Sequence, residues 1–594
     1  MQTIYDELLK TWCDAMVKHQ ITSIKSRGLY GGILCPSCSM VHGRSADAVY
    51  PLMHLAHITK ESRYLDAAVL LQDWAEHLSC PDGSWVNEVE SGWKGITVFG
   101  AIALGEAIRN HGSILDLKIL EQWKKRLHKA TEYLYDNFDI TTGNINYPVS
   151  CSAAMAIAAE IFDEPRYRIK GHDLAHESLE YFTDNKILFG EGRPQNGKTN
   201  RGCRPVDLGY NVEESLPALV LYGLLTGDEE VLETVTESLI QHLEFMLPDG
   251  AWDNSWGSRS YKWTYWGSRT SDGCQSAYAL LSDRDPRFAE AAYRNAQLLK
   301  ECTHDGLLHG GLHYKIKGEL PCMHHTFCHS KTMATVLDHK AQAHRNSTPV
   351  SLPREADTGV RYYPEIDTWL VAKGPWRATV TSNDWEYFKG SHPSGGALSL
   401  LWHNDLRTVL SGSLNEYWLV EGINQQRHRD EIDMPLTPSF EYLENGIYYR
   451  SINDLNASVT CTEAADAIGF SISGRLVDKE SKSPASGEIR YDIAYEFTNN
   501  CVAMKVNINY DTKIGNVRYY LPIISDQTET IESLNEGSCM VCKKNGKLSV
   551  AANGLKILDC EKQRIFNHVP GFQAVPFYIE LQQGEAVEIR LSVV

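Results

Sequence analysis

The sequence predicts two architectures in series. They are an (α/α)6 toroid over residues 1–345 and an antiparallel β-sandwich over residues 361–594, joined by a linker at 346–360. Three observations lead there. Amphipathic runs alternate with more uniformly apolar runs through the first part. The apolar runs begin roughly 50–60 residues apart, as stacked supersecondary units do. After residue 361 the hydrophobic period changes to two, the signature of strands.

The amphipathic runs lie at 5–17, 63–78, 117–138, 172–182, 229–246 and 286–301. Apolar residues recur in them at three and four, with charge on the opposite face, which suits outer helices that bury one stripe. The apolar runs begin near Arg44, Trp93, Pro148, Asn211, Ser271 and His325. Their apolar and small residues spread around the helix, which suits inner helices covered on several sides. A closed ring is preferred to an open solenoid because the loops leading into the inner helices all carry polar and aromatic residues. In a ring those loops meet at one mouth. The stretch HRNSTPVSLPREADTG is rich in Ser, Thr and Pro and reads as the linker. Beyond it, ATVTS, ALSLLW, NASVTC, GFSISG, RYDIAYEF, VAMKVNINY and EIRLSV alternate, with turns such as NNC, NYDT and KNGK between them.

At 594 residues the chain exceeds one small core, and its 43% hydrophobic and 22% charged content reads as globular. A net charge of −19 argues against nucleic acid or an anionic membrane surface as partner. No run of about 18 apolar residues is present, so no transmembrane helix is expected. The beginning, MQTIYDELLKTWCDAM, lacks a basic and then apolar leader. The expected location is cytoplasmic if Met1 is native, and periplasmic or secreted if a signal peptide preceded it. Cysteines number 15, odd and scattered, which fits reduced thiols better than a disulfide framework.

Chemistry is expected at the mouth. The segment PDGAWDNSWGSRSYKWTYWGSRTSD at 248–272 concentrates Trp252, Asn254, Trp256, Arg259, Tyr261, Trp263, Tyr265 and Arg269. Aromatic faces stack on sugars and arginine grips carboxylates bidentately, so an acidic oligosaccharide or polysaccharide is the expected partner. A buried aromatic core is the bland alternative. The other loops add His42, Arg44 and Asp47; Glu88, Trp93 and Lys94; Asn144, Asn146 and Tyr147; Arg201, Arg204, Asp207, Tyr210, Asn211, Glu213 and Glu214; and His324, His325, His329 and Lys331. Singly each is weak, since a histidine at a helix start is more often a cap. Cys35 and Cys38 with His42 raise a structural zinc, but no second CxxC pair supplies the remaining ligands; Cys203, Cys322 or Cys328 would have to arrive through the fold. No metal and no cofactor is therefore assigned. No Walker loop, dinucleotide fingerprint or GxSxG elbow stands in a suitable context.

A helical toroid followed by a β-sandwich resembles the uronic-acid polysaccharide lyases of the chondroitin AC, alginate and heparinase II/III types. The runs DGAWDNSWGSRSYKWTYWGSRTSDG and CMHHTFCHSK look most like polysaccharide lyase family 27, the rhamnosyl-glucuronate lyases of arabinogalactan side-chain ends. The resemblance implies β-elimination at a uronic acid, possible exo action on rhamnose-α-1,4-glucuronate termini, and a tyrosine acting as base and acid. Tyr265, in the turn Tyr265–Trp266–Gly267, matches that tyrosine, with Tyr261 close by. Asn211, His324 or His325, and Arg269 or Arg259 match the carboxylate neutralisers. Trp252, Trp256 and Trp263 would be stacking platforms, with His42, Arg44, Trp93, Lys94, Tyr147, Tyr210 and Asn254 completing the sugar site. One departure stands out: the chondroitin-type loop carries a histidine beside its tyrosine, and here Asn254 or Trp256 stands instead. A toroid glycoside hydrolase, such as an unsaturated glucuronyl hydrolase using Asp47, Asp207, Glu213, Glu214 or Asp253, is the alternative enzyme. A non-catalytic carbohydrate-binding protein is the third reading.

Overall fold

A computed structural model describes residues 3–23, 25–26, 28–87, 92–339, 349–356, 358–416, 434–510 and 514–594. Among these, twelve helices make the ring. They are α1 Ile4–His19, α2 Val49–Thr59, α3 Ser62–Ala75, α4 Thr97–His111, α5 Leu117–Asn137, α6 Asn146–Phe162, α7 Pro165–Ser178, α8 Leu216–Thr226, α9 Glu229–His242, α10 Gln275–Tyr278, α11 Pro286–Glu301 and α12 Met323–Asp338.

Sequence dictates which are outer. In α5 the buried residues are Trp123, Arg126, Leu127, Ala130, Thr131 and Leu134, a single stripe at spacings of three and four. Burying each large apolar side chain of such a stripe is worth about 1.5–3 kcal/mol. In α6, by contrast, every residue from Pro148 to Ala159 is buried, serines included, so this helix is covered all round. Caps fix the outer starts. Thr3 and Asp6 form a reciprocal capping box on α1, and Asp116, Asp228 and Asp285 cap α5, α9 and α11.

The inner helices pack in a circle: α2 on α4, α4 on α6, α6 on α8, α8 on α10, α10 on α12, and α12 back on α2. Each inner helix also packs on the outer helix that follows it, as α2 does on α3 and α6 on α7. The exception makes the closure. The last inner helix, α12, pairs with the first outer helix, α1, so the two extremes of the helical region form one unit.

Three large antiparallel sheets follow among the described residues, of five, six and eight strands. The five-stranded sheet runs Gly359–Tyr363, Thr368–Lys373, Trp376–Thr381, Ala397–His403 and Arg407–Ser411. The eight-stranded sheet has Cys501–Tyr510 and Val587–Val593 at its centre, with Ile489–Phe497 beside them. Burial along Ile489–Phe497 alternates strictly, so one face meets the core and the other meets water. A core of Val371, Val380, Phe440, Tyr491, Tyr519 and Phe577 lies between the sheets. Of the expected linker, residues 346–348 and 357 lie outside the described set; Pro353–Ala356 forms a short helix whose Arg354 reaches back to Asp253 at 2.9 Å.

The sheets clamp the tryptophan-rich loop. Asn383 donates to the Trp256 carbonyl at 3.0 Å, the Ser255 and Ser399 hydroxyls pair at 2.8 Å, and the Tyr265 amide donates to the Pro570 carbonyl at 3.2 Å. Trp252, Trp256, Trp263 and Trp266 are fully buried. The bland alternative therefore describes this loop. Its indoles are core between ring and sheets, with no face open to a sugar.

Candidate active site at the mouth of the ring

The site is built from the loops that precede the inner helices. Asn146 opens α6 and is fully buried, yet neither its amide nitrogen nor its amide oxygen has a hydrogen-bond partner. Its backbone N–H donates to Glu191 at 3.3 Å. Glu191 follows Gly190, whose φ of +115° turns the chain in a way an L side chain resists. The other Glu191 oxygen accepts from the Arg259 guanidinium at 2.8 Å. Burial drives the Glu191 carboxyl up to about 7, against the opposing pull of Arg259.

Arg259 lies 4.0 Å from the centroid of the Tyr210 ring and 5.4 Å from that of Tyr387, a residue of the sheet region. Its Nε has no partner, although the residue is 6% exposed. The Tyr210 hydroxyl meets the Thr270 hydroxyl at 2.5 Å, and the Thr270 carbonyl accepts from Arg44 at 2.9 Å. Burial pushes the Tyr210 phenol well up, with Arg259 opposing. Tyr147 accepts from the Trp93 indole at 3.1 Å, and burial holds its phenol at about 12 while Arg259 pulls it down. Trp93 is 43% exposed and forms the rim.

Tyr261 sits in the single turn Ser260–Lys262, with the Lys262 ammonium 5.5 Å from its ring centroid and Tyr387 at 5.8 Å. His324, the second residue of α12, is buried with both ring nitrogens unpartnered. Burial, then Arg44, His42 and Lys262, hold it well below the usual imidazole range, so it is neutral at neutral pH. Its ring lies 5.6 Å from that of His42. The loops carrying His42, Trp93, Tyr147, Tyr210 and His324 thus meet around Arg259 and Tyr261 of the tryptophan-rich loop.

Other expected residues lie elsewhere. Tyr265 is fully buried and donates to Asp249 at 2.9 Å, which also accepts from Arg407 of the sheet region at 2.8 Å. That is the junction between ring and sheets. Arg269 donates to the His568 carbonyl at 2.8 Å, in the same junction. Asn211 opens a π-turn, Asn211–Ser215, and its amide nitrogen is committed to the Leu188 carbonyl and His242. Asn254 holds the Leu208 amide and Asp207. His325 is fully buried against Trp266. Trp252, Trp256 and Trp263 lie in the core below the mouth, as described. Lys94 pairs with Asp82; Arg44, which stays at the mouth, shares Asp47 and Asp272 with Lys331. Glu88 lies outside the described residues. Glu191 was missed from sequence; its one signal was an acidic residue between two glycines in a long interhelical loop. Asn146 was noted in its loop but given no role.

The helical ring backed by antiparallel sheets is the fold of toroid-type polysaccharide lyases, and here tyrosines, an arginine, an amide and a neutral histidine stand at its mouth. Solved structures share the fold. The chondroitin AC lyase of Streptomyces coelicolor A3 superposes with a TM-score of 0.56 at 10% identity, over 99% of this chain and 79% of that one. Heparinase III gives 0.55 at 10% identity, over 92% of this chain and 76% of that one.

The family is more specific. The model of the ulvan lyase N-terminal domain matches residues 9–355, and that of the ulvan lyase C-terminal domain matches 360–594. A broad-specificity ulvan lyase of Formosa agariphila is 39% identical over 583 residues, 97% of this chain and 91% of that protein. The chain belongs to the ulvan lyase family and is a polysaccharide lyase acting on an acidic polysaccharide. This corrects the resemblance to polysaccharide lyase family 27, drawn from the domain order and two loop sequences: both family models and the 39% identical relative are ulvan lyases. The hydrolase and non-catalytic alternatives fall with it.

Proposed function

We propose that this chain cleaves ulvan, the uronic-acid- and rhamnose-containing polysaccharide for which its relative is named, by β-elimination at a uronic acid. One observation supports this most. Asn146, Arg259 Nε and His324 are buried, polar and unpartnered within one mouth. An unsatisfied buried group costs about 1–3 kcal/mol, so three together point to a ligand that satisfies them. A uronate carboxylate accepts from all three.

The chemistry follows. Neutralising the carboxylate makes the C5 proton acidic, because the charge that develops on removing it is delocalised onto donors already in place. Tyr261 takes that proton, with the Lys262 ammonium 5.5 Å from its ring centroid and Arg259 two residues before it. The electron pair left at C5 forms the C4–C5 double bond as the C4–O bond breaks. The same phenol then returns the proton to the departing oxygen. Tyr210 is the shelf on which Arg259 rests.

On ulvan, the wild type should generate the ultraviolet absorbance of the 4,5-unsaturated uronate. Tyr261→Phe should lose turnover while retaining KM and melting temperature. New reducing ends without that absorbance would refute elimination, and an active Tyr261→Phe would refute the base.

A further inference from the structure

Cys35, Cys38, His42 and Cys322 are not used by this chemistry, yet they meet at the seam where the ring closes. The first three lie between α1 and α2, and Cys322 is the residue that caps α12. Cys35 Sγ stands 3.7 Å from Cys322 Sγ, Cys38 Sγ stands 3.8 Å from it, and His42 Nε2 stands 3.7 Å from it. All four ligand atoms lie within 4.8 Å of one another. Cys35, His42 and Cys322 are fully buried and Cys38 is partly so.

We propose that these four residues bind one structural zinc ion that locks α12 to the beginning of the chain. The spacing carries the assignment. Around a tetrahedral zinc with Zn–S bonds of about 2.3 Å, neighbouring sulfurs stand about 3.8 Å apart. The observed separations are the edges of that tetrahedron. A disulfide needs sulfurs at about 2.05 Å and uses two, whereas three converge here. Three thiolates and one imidazole, with no further protein position open, are the donor set of a closed structural site. Cys35 Sγ also accepts backbone N–H bonds from Cys38 at 3.4 Å and from Met323 at 3.3 Å, as a metal-bound thiolate does.

The ion reaches the mouth through its ligands. Cys322 precedes His324 by two residues, and His42 precedes Arg44 by two and lies against His324. The metal is a positioning element: it fixes where His324 and Arg44 stand without touching substrate.

Wild-type protein purified without chelator should hold about one zinc per chain. Its cobalt-substituted form should show thiolate-to-cobalt charge-transfer and the visible bands of a tetrahedral site. Cys322→Ser and Cys38→Ser should each lower metal content at least about fivefold. Capping the thiolates with a mercurial should release the ion, lower the melting temperature and raise KM as His324 and Arg44 loosen. Should both serine variants fail to fold, the wild-type cobalt spectrum decides alone. Zinc-reconstituted wild type holding under about 0.1 metal per chain, or a cobalt form without charge-transfer, overturns the proposal.

Discussion

Arg259→Ala separates the catalytic and structural consequences of the arginine. Arg259 is 6% exposed and pairs at 2.8 Å with fully buried Glu191. Removing one partner of a buried pair costs about 3–5 kcal/mol if the other stays charged. Glu191 has an escape, because its carboxyl already stands at about 7 with the arginine present, and higher without it. At pH 7 it takes up a proton, and the loss of stability should fall to about 1–3 kcal/mol, that of an unmatched neutral group. Turnover has no such escape. Loss of one preorganised donor to a developing oxyanion lowers kcat about 10²–10³-fold. The double variant Arg259→Ala, Glu191→Gln should recover much of the stability in urea melts and none of the rate. Initial rates of ultraviolet absorbance on ulvan measure the second quantity. An Arg259→Ala enzyme within about threefold of wild-type kcat would refute carboxylate neutralisation by this residue.

Two further outcomes are expected. Because burial raises the folded-state Glu191 carboxyl to about 7 from its ordinary value near 4.5, the native state binds the extra proton between those values; its contribution to stability is complete below about 4.5 and is lost as pH rises through 7. Ionised Glu191 holds Arg259, so kcat/KM should fall below pH 7, and Glu191→Gln should remove that limb; an unchanged limb assigns it to another group. Tyr265→Phe should keep normal turnover and lose about 1–2 kcal/mol in urea melts, since it leaves Asp249 with Arg407 but without the phenol; loss of turnover at normal stability would return the base to Tyr265.

The ring was legible because its signal is local. The one-stripe pattern of α5 and the all-round burial of α6 are properties of short stretches, and alternation in RYDIAYEF fixes a half-buried strand by itself. The tryptophan loop misled because sequence shows that Trp252 and Trp263 are large and apolar but not what covers them. The loop is held by Asn383 on Trp256, Ser399 on Ser255 and Pro570 on Tyr265, each more than a hundred residues away. Tyr261, the proposed proton-transfer residue, and Tyr265 look alike in sequence, and the choice between them depends on which way each points out of one tight loop. Glu191 escaped notice because its role comes from a pair with Arg259 across the mouth, and a lone glutamate carries no such mark.

Closure of the ring by its own first helix sets a schedule for synthesis. Cys35 waits for a partner 287 residues later, and α1 for a helix that ends at Asp338. At about 5–20 residues per second that interval is on the order of tens of seconds. During it α1 has α2 and α3 beside it but not α12, its main partner, and contacts so distant in sequence form slowly. His324 and Arg44 face each other only once the last inner helix has emerged. A nascent or truncated chain therefore has no mouth, and an acidic polymer meets a competent enzyme only after the seam is shut.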